Sequence, residues 1–271
     1  MSLRVDVAHG VCRCRLPSGR FLSTGFDGGV RDADAAYNVT VPEGWGDAGE
    51  RDLRSYVDGR VADAGFPADP DAPALLTGVE QRHARAARLD GVAVVATAGL
   101  SNPAALPVDA AASSTDRNAL SVDAGRSAEA HTTASDESGP HPPPGTVNLL
   151  VGTDRDLDPG ALANLVAVVA EAKATTLLAV AGFPGTTSDA VVVASDSSGE
   201  PAAFSGSATP LGAAARVCVR DAILASLASR YSDAAETIPD SVADAEHGVV
   251  TNDRAVVSRI ESSDDADGSE S

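Results

Sequence analysis

Apolar positions in this chain fall into short runs separated by glycine, proline and aspartate, and the period changes from run to run. Residues 3–24 read as two short strands around Cys12. Asn38–Val41 reads as a further strand, and Asp47–Ala64 as a polar helix. Leu75–Gly78 leads into an alternating stretch from Val79 to Leu89. Asp90-Gly91 is a hairpin turn and Val92–Ala98 the returning strand. Ala190–Ala194 is an apolar strand, and Ser197–Glu200 predicts a turn into a partner strand that ends near Phe204. Ser205–Pro210 is a loop. Leu211–Arg230 predicts the last helix, with Val217, Leu224 and Leu227 near its buried face.

Gly145–Ser195 is the most informative stretch: strand, capped helix, glycine-rich turn, strand. Asp158 suits the N-cap and Pro159 the first helical position, where its missing N–H costs nothing. At roughly 100° per residue, Leu162, Val166, Val169 and Lys173 fall within about 40° of one line. Glu171 projects to the other side, with Asn164 and Thr175. Lys173 is the single lysine; the other nineteen cationic side chains are arginine. A lysine on a core face must find a carboxylate, carbonyls or a ligand, or lose its proton. A structural reading is a snorkelling lysine favoured by the helix dipole. Retention of one ammonium inside an apolar helix favours a site.

Pro103–Pro144 changes character. It is rich in Ala, Ser, Thr, Asp, Gly and Pro, buries too little to offset ordering entropy, and is expected to be a disordered insertion. Its histidines, His131 and His141, read as solvated. Residues 232–271 form an acidic tail, expected to be flexible, with short structured patches allowed at Val249-Val250 or Val256-Val257. The fold class expected is α/β: a mixed, largely antiparallel sheet with packed helices, forming a single domain over 1–231 that carries the disordered insertion.

Composition narrows the setting. Hydrophobic residues make up 43% of 271 and aromatics 3%, so Ala, Val and Leu must build the core. The net charge is −19 and the isoelectric point about 4.4. Dense carboxylates keep a surface hydrated in concentrated salt, which in turn screens their repulsion. A cytoplasmic protein of a halophile is therefore expected. The charge also argues against nucleic acid or an anionic membrane as partner. The start, MSLRVDVAHG, is too polar for a signal peptide, and charged residues interrupt the most apolar helix. Cys12, Cys14 and Cys218 make no disulfide framework. Cys12 and Cys14 share one strand face with no matching pair, so all three read as packed core residues and no metal site is expected.

Dinucleotide, phosphate-loop, zinc-hydrolase and nucleophile-elbow motifs are absent. What remains is a set of polar residues at strand ends and glycine-rich turns: Asp27, Asn38, Thr77, Ser101, Asn102, Asn148, Lys173, Thr186, Thr187 and Asp189. Asn148 lies mid-strand among apolar neighbours, so its amide needs partners or a ligand. Asp189 either caps the turn before its strand or faces Lys173 or a bound group.

In order, the blocks STGFDGG with Asn38, LLTGV (75–79), VVATAGLSN (94–102), GTVNLLVGTD (145–154), AEAKATTL (170–177), PGTTSD (184–189) and SATPLG (207–212) are similar to the adenosylcobinamide amidohydrolase (CbiZ) family. The resemblance runs from about Leu16 to Arg230, with 103–144 as an insertion. It implies a hydrolase without a cofactor that acts on a small-molecule corrinoid. The bond cut is the amide joining aminopropanol to the ring propionate, giving adenosylcobyric acid and 1-amino-2-propanol, in cobinamide salvage for cobalamin biosynthesis. Three positions depart from the family pattern. Asp27 stands where asparagine is usual, Thr187 where glycine is usual, and Ala208 where histidine is frequent.

An amide hydrolase needs a nucleophile, a proton for the leaving amine and charge stabilisation at the carbonyl oxygen. Lys173 is expected to supply charge or a proton, Asn148 to donate to the oxyanion, and Asp189 to orient Lys173 or activate water. Thr146 offers a hydroxyl nucleophile. Asp27, Asn38, Thr77, Ser101, Asn102, Thr186 and Thr187 are expected to bind substrate. Two alternatives stay open: a non-catalytic corrinoid-binding or carrier protein, and a hydrolase that cleaves its own chain near Gly145-Thr146.

Overall fold

Two dipeptides with positive φ close the hairpins at the edges of the main sheet. His9-Gly10 (φ 47° and 76°) joins β1 (Arg4–Ala8) to β2 (Val11–Ser23), and Asp90-Gly91 (φ 45° and 78°) joins β5 (Arg85–Leu89) to β6 (Val92–Ala98). Both are two-residue loops whose twist matches that of the flanking strands. The computed structural model describes residues 3–42, 45, 52–108, 145–232, 237–239, 241–245, 247–253 and 255–258. The remaining elements are β3 (Gly29–Thr40), α1 (Leu53–Asp63), β4 (Ala74–Thr77), β7 (Pro103–Ala105), β8 (Val147–Leu157), α2 (Pro159–Ala181), β9 (Gly185–Thr186), β10 (Ala190–Ala202), α3 (Pro210–Arg230) and β11 (Val249–Val250).

Among the described residues, eight strands form the main sheet, in the order β4-β3-β2-β10-β8-β6-β5 with β1 added to β2. Only the β8–β10 and β3–β4 pairings in it are parallel, so the sheet is mixed and largely antiparallel, as the patterning predicts. Alternate side chains of the central strands feed two cores. Val94, Ala96, Leu149, Val151, Val191 and Val193 pack under α2 and α3. Val95, Leu150, Val192 and Ala194 meet β1–β4 and Val57 and Val61 of α1 on the other face. Cover on both faces explains why β6 is buried throughout and apolar except at Thr97. The sheet also curls: Asn38 of β3 donates to Thr97 Oγ1 of β6 at 2.9 Å, although three strands separate them in the order.

Local chemistry sets the ends of the helices. Asp52 caps α1 by accepting from Ser55 N at 3.0 Å. Pro159 opens α2, and Gly182 ends it in the left-handed region at φ 76°. Asp158 holds the N-cap position through its backbone carbonyl alone; its side chain makes no capping bond. At 23 residues α2 is long and apolar enough to cross a membrane. Here Leu162, Leu165 and Val169 pack it onto the sheet, and both its charged residues are ion-paired, Glu171 with Arg216 and Lys173 with Asp189.

Several elements differ from the sequence reading. β2 and β3 are long, because the Ser23–Gly29 turn folds them into one hairpin. Residues 79–89 divide into a one-turn helix at Gln81–His83 and a five-residue strand. β10 continues through Ser197–Glu200 instead of turning back, with Asp196 Oδ1 accepting from Ser198 N at 2.9 Å and Ser198 Oγ at 2.6 Å. Its register against β8 shifts between Ser195 and Glu200, where Ser195 Oγ accepts from Leu157 N (2.7 Å) and donates to Arg155 O (2.9 Å). On α3 the buried stripe is Ala215, Cys218, Val219, Ala222 and Ile223 with Leu227, while Leu224 points outward and Val217 is half-buried. Pro103–Ala105 is a strand, not loop. It lies between β9 and β11 in a second sheet of three short strands, so Val249-Val250 is structured, whereas Val256 and Val257 are exposed. The expectations for 109–144, His131 and His141 included, for residues 47–51 of the first helix and for 259–271 lie outside the described residues.

Candidate active site

The β8–α2–β9–β10 segment brings the single lysine to the start of two parallel strands. Asp189 precedes β10, and its carboxylate gathers three elements. Oδ1 accepts from Val147 N at 2.9 Å and from Thr186 Oγ1, and Oδ2 accepts from Thr186 N at 3.0 Å and from the Lys173 ammonium. Lys173 also reaches Pro184 O at 3.4 Å. The two side chains are 13% and 11% exposed, which makes this a nearly buried, hydrogen-bonded ion pair. Gly185 packs against it so closely that a Cβ there would collide with both partners. With four donors on its two oxygens, Asp189 is arranged to orient Lys173 and has little capacity left for water.

Beside the pair lies a cleft of about 290 Å³ lined by Thr24–Phe26, Leu75–Leu76 and Ser188–Ala190. Three segments distant in sequence therefore converge: the β2–β3 turn, β4, and the turn before β10. Asp27, on the exposed side of the first turn at φ 50°, holds Arg31 (2.6 Å) and Arg54 (3.3 Å). Arg54 in turn sits 5.5 Å over the ring of Phe26.

The other expected residues divide by position. Thr186 carries Asp189. Thr187 is exposed and accepts from Asn102 Nδ2 at 2.5 Å. Ser101 Oγ accepts from Gly145 N at 2.7 Å and so anchors the chain just before β8. Asn38, Thr77 and Asn148 are fully buried beneath the cleft rather than facing it. Thr77 Oγ1 accepts from Val79 N at 3.0 Å and closes the LLTGV turn. Asn148 Nδ2 donates to Asn38 Oδ1 (2.8 Å) and to Leu76 O (2.9 Å). The Leu76 carbonyl only accepts, which fixes the orientation of the Asn148 amide. Both N–H groups are thereby spent, leaving none for an oxyanion, and the unpaired atom is the acceptor Oδ1.

Sequence reasoning did not single out Ser188. It is exposed in the cleft, with its hydroxyl 2.9 Å from Thr146 Oγ1. Its place between Thr187 and Asp189 was the available signal, but only the tertiary pairing with Thr146 distinguishes it from a turn serine. Among the described residues, no group of three or more His, Cys, Asp or Glu is placed to hold a metal. Cys12 and Cys14 are buried in the core, and their mutual hydrogen bond, then burial, raises the Cys14 thiol well above its ordinary value.

A larger groove of about 1000 Å³ runs along Arg13, Arg15, Asp34, Tyr37 and Asp69. It contains none of the residues above. Two of its charges are engaged, Arg13 with Asp6 and Asp34 with Ser18 N. We assign the chemistry to the smaller cleft because the buried ion pair, the hydroxyl pair and the glycine-rich turns meet there.

Residues 8–235 match the family described as adenosylcobinamide amidohydrolase. The chain is also 54% identical over 250 residues to a protein named adenosylcobinamide amidohydrolase from Halobacterium salinarum, covering 92% of this chain and 96% of that protein.

Proposed function

The chain belongs to the adenosylcobinamide amidohydrolase family, and from that membership we propose that it is an enzyme hydrolysing the amide between aminopropanol and the corrin ring of adenosylcobinamide. One water is consumed and the C–N bond breaks. The water oxygen remains on the carbonyl carbon as adenosylcobyric acid, and the nitrogen leaves as 1-amino-2-propanol. The product re-enters cobamide synthesis in a salvage route. A salt-rich cytoplasm is the working compartment, a reading supported by the net charge of −19 and the near-replacement of lysine by arginine.

The observation that carries the site assignment is the Lys173–Asp189 pair beside a cleft rimmed by backbone and hydroxyl groups. At about 290 Å³ the cleft lies at the small end of ligand pockets. It suits one side arm and its amide, with the macrocycle outside against the Phe26–Arg54 rim. Lys173, held by Asp189 and the Pro184 carbonyl, places positive charge where the carbonyl oxygen gains negative charge and the amine needs a proton. Asp189 keeps that ammonium in place. Asn148, Asn38 and Thr97 pin β3, β6 and β8 together under the cleft, so the site is held from below.

The test is incubation with adenosylcobinamide in about 2–3 M KCl, enough salt to screen the surface charge, with mass-spectrometric detection of adenosylcobyric acid. Product from the native chain, lost in Lys173→Met, is the expected result. Turnover of Lys173→Met within about threefold of native, well under the effect of losing a transition-state donor, removes Lys173 from the chemistry. Tight binding without product supports the carrier alternative.

A further inference from the structure

Resting on the amidohydrolase reading, we propose that Ser188 Oγ is the hydroxyl that engages the scissile carboxamide, and that Thr146 polarises it from behind. The other polar side chains around the cleft are committed. Thr24 Oγ1 both accepts from Val191 N (2.9 Å) and reaches Val191 O (3.3 Å). Asp189 has four donors on two oxygens, and both N–H groups of Asn148 are used inside the protein.

Ser188 differs. It lines the cleft, it is exposed, and its hydroxyl meets Thr146 Oγ1 at 2.9 Å and, among the described residues, otherwise only the Gly145 carbonyl at a long 3.4 Å. Thr146 is 3% exposed, so it reaches the substrate only through Ser188. With Thr146 donating to Ser188 Oγ, the Ser188 hydrogen is released toward the cleft. A hydroxyl that accepts one hydrogen bond donates a stronger one.

The backbone locks this pair to the ion pair. Ser188 is the residue before Asp189, and Thr146 the residue before Val147, whose N–H sits on the Asp189 carboxylate. Ser188 and Asp189 line the cleft, and the Lys173 ammonium is bound to Asp189 Oδ2 without forming part of the lining. Ser188 donates to the carbonyl oxygen as it gains charge, while Lys173 supplies the field. Ser188 is a catalytic residue on this assignment and Thr146 a positioning residue. No covalent intermediate is implied; water attacks the carbon.

Steady-state kinetics on adenosylcobinamide tests the proposal, with Ser188→Ala, Thr146→Val and Thr146→Ser compared with the native chain. Ser188→Ala should lower kcat by about 10²–10³ with KM changed little, the effect of losing a donor to a developing oxyanion. Thr146→Val, similar in shape but without the hydroxyl, should lower kcat roughly tenfold, and Thr146→Ser should restore it. Thermal melting checks that each variant is folded; Ser188 is exposed, so its truncation leaves the core untouched. If native enzyme turns over and Ser188→Ala retains kcat within about threefold, or loses only KM, the proposal falls and the amidohydrolase reading stands. If Thr146→Ser is as slow as Thr146→Val, Thr146 acts by packing and the relay is refuted. A folded native chain that makes no product overturns both readings.

Discussion

Replacing Asp189 with asparagine should destabilise this protein more than replacing Lys173 with methionine, although each change breaks the same ion pair. The difference lies in what each leaves behind. Lys173→Met keeps an unbranched stem in the packed helix face and removes one of four donors to the carboxylate. Asp189 then stays charged at 11% exposure but retains Val147 N, Thr186 N and Thr186 Oγ1. Breaking a buried pair by removing one partner costs about 3–5 kcal/mol, and the three surviving donors place this change near 3 kcal/mol. Asp189→Asn is worse whichever way the amide turns. Each carboxylate oxygen faces a backbone N–H that can only donate, Val147 N on one side and Thr186 N on the other. The new NH₂ must therefore oppose a donor, while Lys173 keeps its ammonium at 13% exposure with only Pro184 O at 3.4 Å. A loss of about 5 kcal/mol is expected. Urea titration in about 2–3 M KCl reads both, and thermal melts should fall by about 6–12 °C for Lys173→Met. If Asp189→Asn proves no more destabilising than Lys173→Met, the four-donor description of the carboxylate is wrong. If both fall under about 1 kcal/mol, the pair behaves as a surface contact.

Gly185→Ala would place a Cβ 2.5 Å from Lys173 Nζ and closer still to Asp189. Turnover should fall by up to about 10²-fold, whereas Gly160→Ala, which meets open space in α2, should be neutral or slightly stabilising; equal kinetics in the two variants would sink the argument. Ending the chain after residue 236 removes β11 and the 3.0 Å bond from Thr251 N to Ala105 O. Because β7 also pairs with β9, amide hydrogen exchange over residues 183–190 should quicken, and unchanged exchange would show that the tail does not support the site. Raised thiols at Cys14 (mutual hydrogen bond with Cys12, then burial) and Cys218 (burial) stay protonated in the fold while unfolded thiols ionise near about pH 8.5. Their contribution is therefore fully present below that pH and is lost as pH rises toward the folded values. Melting temperatures from about pH 7 to about pH 10 should decline, less so in Cys14→Val; a variant slope identical to the native one would refute the attribution.

The residues that chemistry constrains locally were legible in the sequence. Asp90-Gly91 announced its hairpin, Pro159 and Gly182 bracket α2, and the near-continuous apolar runs Val92–Ala98 and Val147–Val151 marked strands. Lys173 stood out because an ammonium on an apolar helix face demands a partner, and Asp189 was a candidate from its turn. What misled was ambiguity of scale. Ser197–Glu200 has the composition of a hairpin turn, yet Ser195 satisfies the local backbone and carries β10 through as one strand with a shifted register. Pro103–Ala105 is too short and too plain to register as a strand, and only its neighbours β9 and β11 make it one.

Composition, patterning and ordered motif blocks by themselves determined the fold class, the acidic surface, the family likeness and the exceptional status of Lys173. All of these depend on residue type and spacing, which the chain carries without being folded. Tertiary structure alone decided which polar groups remain available. Asn38 and Asn148 look like ligand-binding amides in sequence, but the curl of the sheet brings them together and spends the N–H groups of Asn148 on Asn38 and the Leu76 carbonyl. Ser188 looks like an ordinary turn residue until β8 sets Thr146 beside it. A side chain's chemical potential is written in its type. Its capacity to act depends on hydrogen bonds with residues 42 and 110 positions away, and those contacts exist only after the chain has closed on itself.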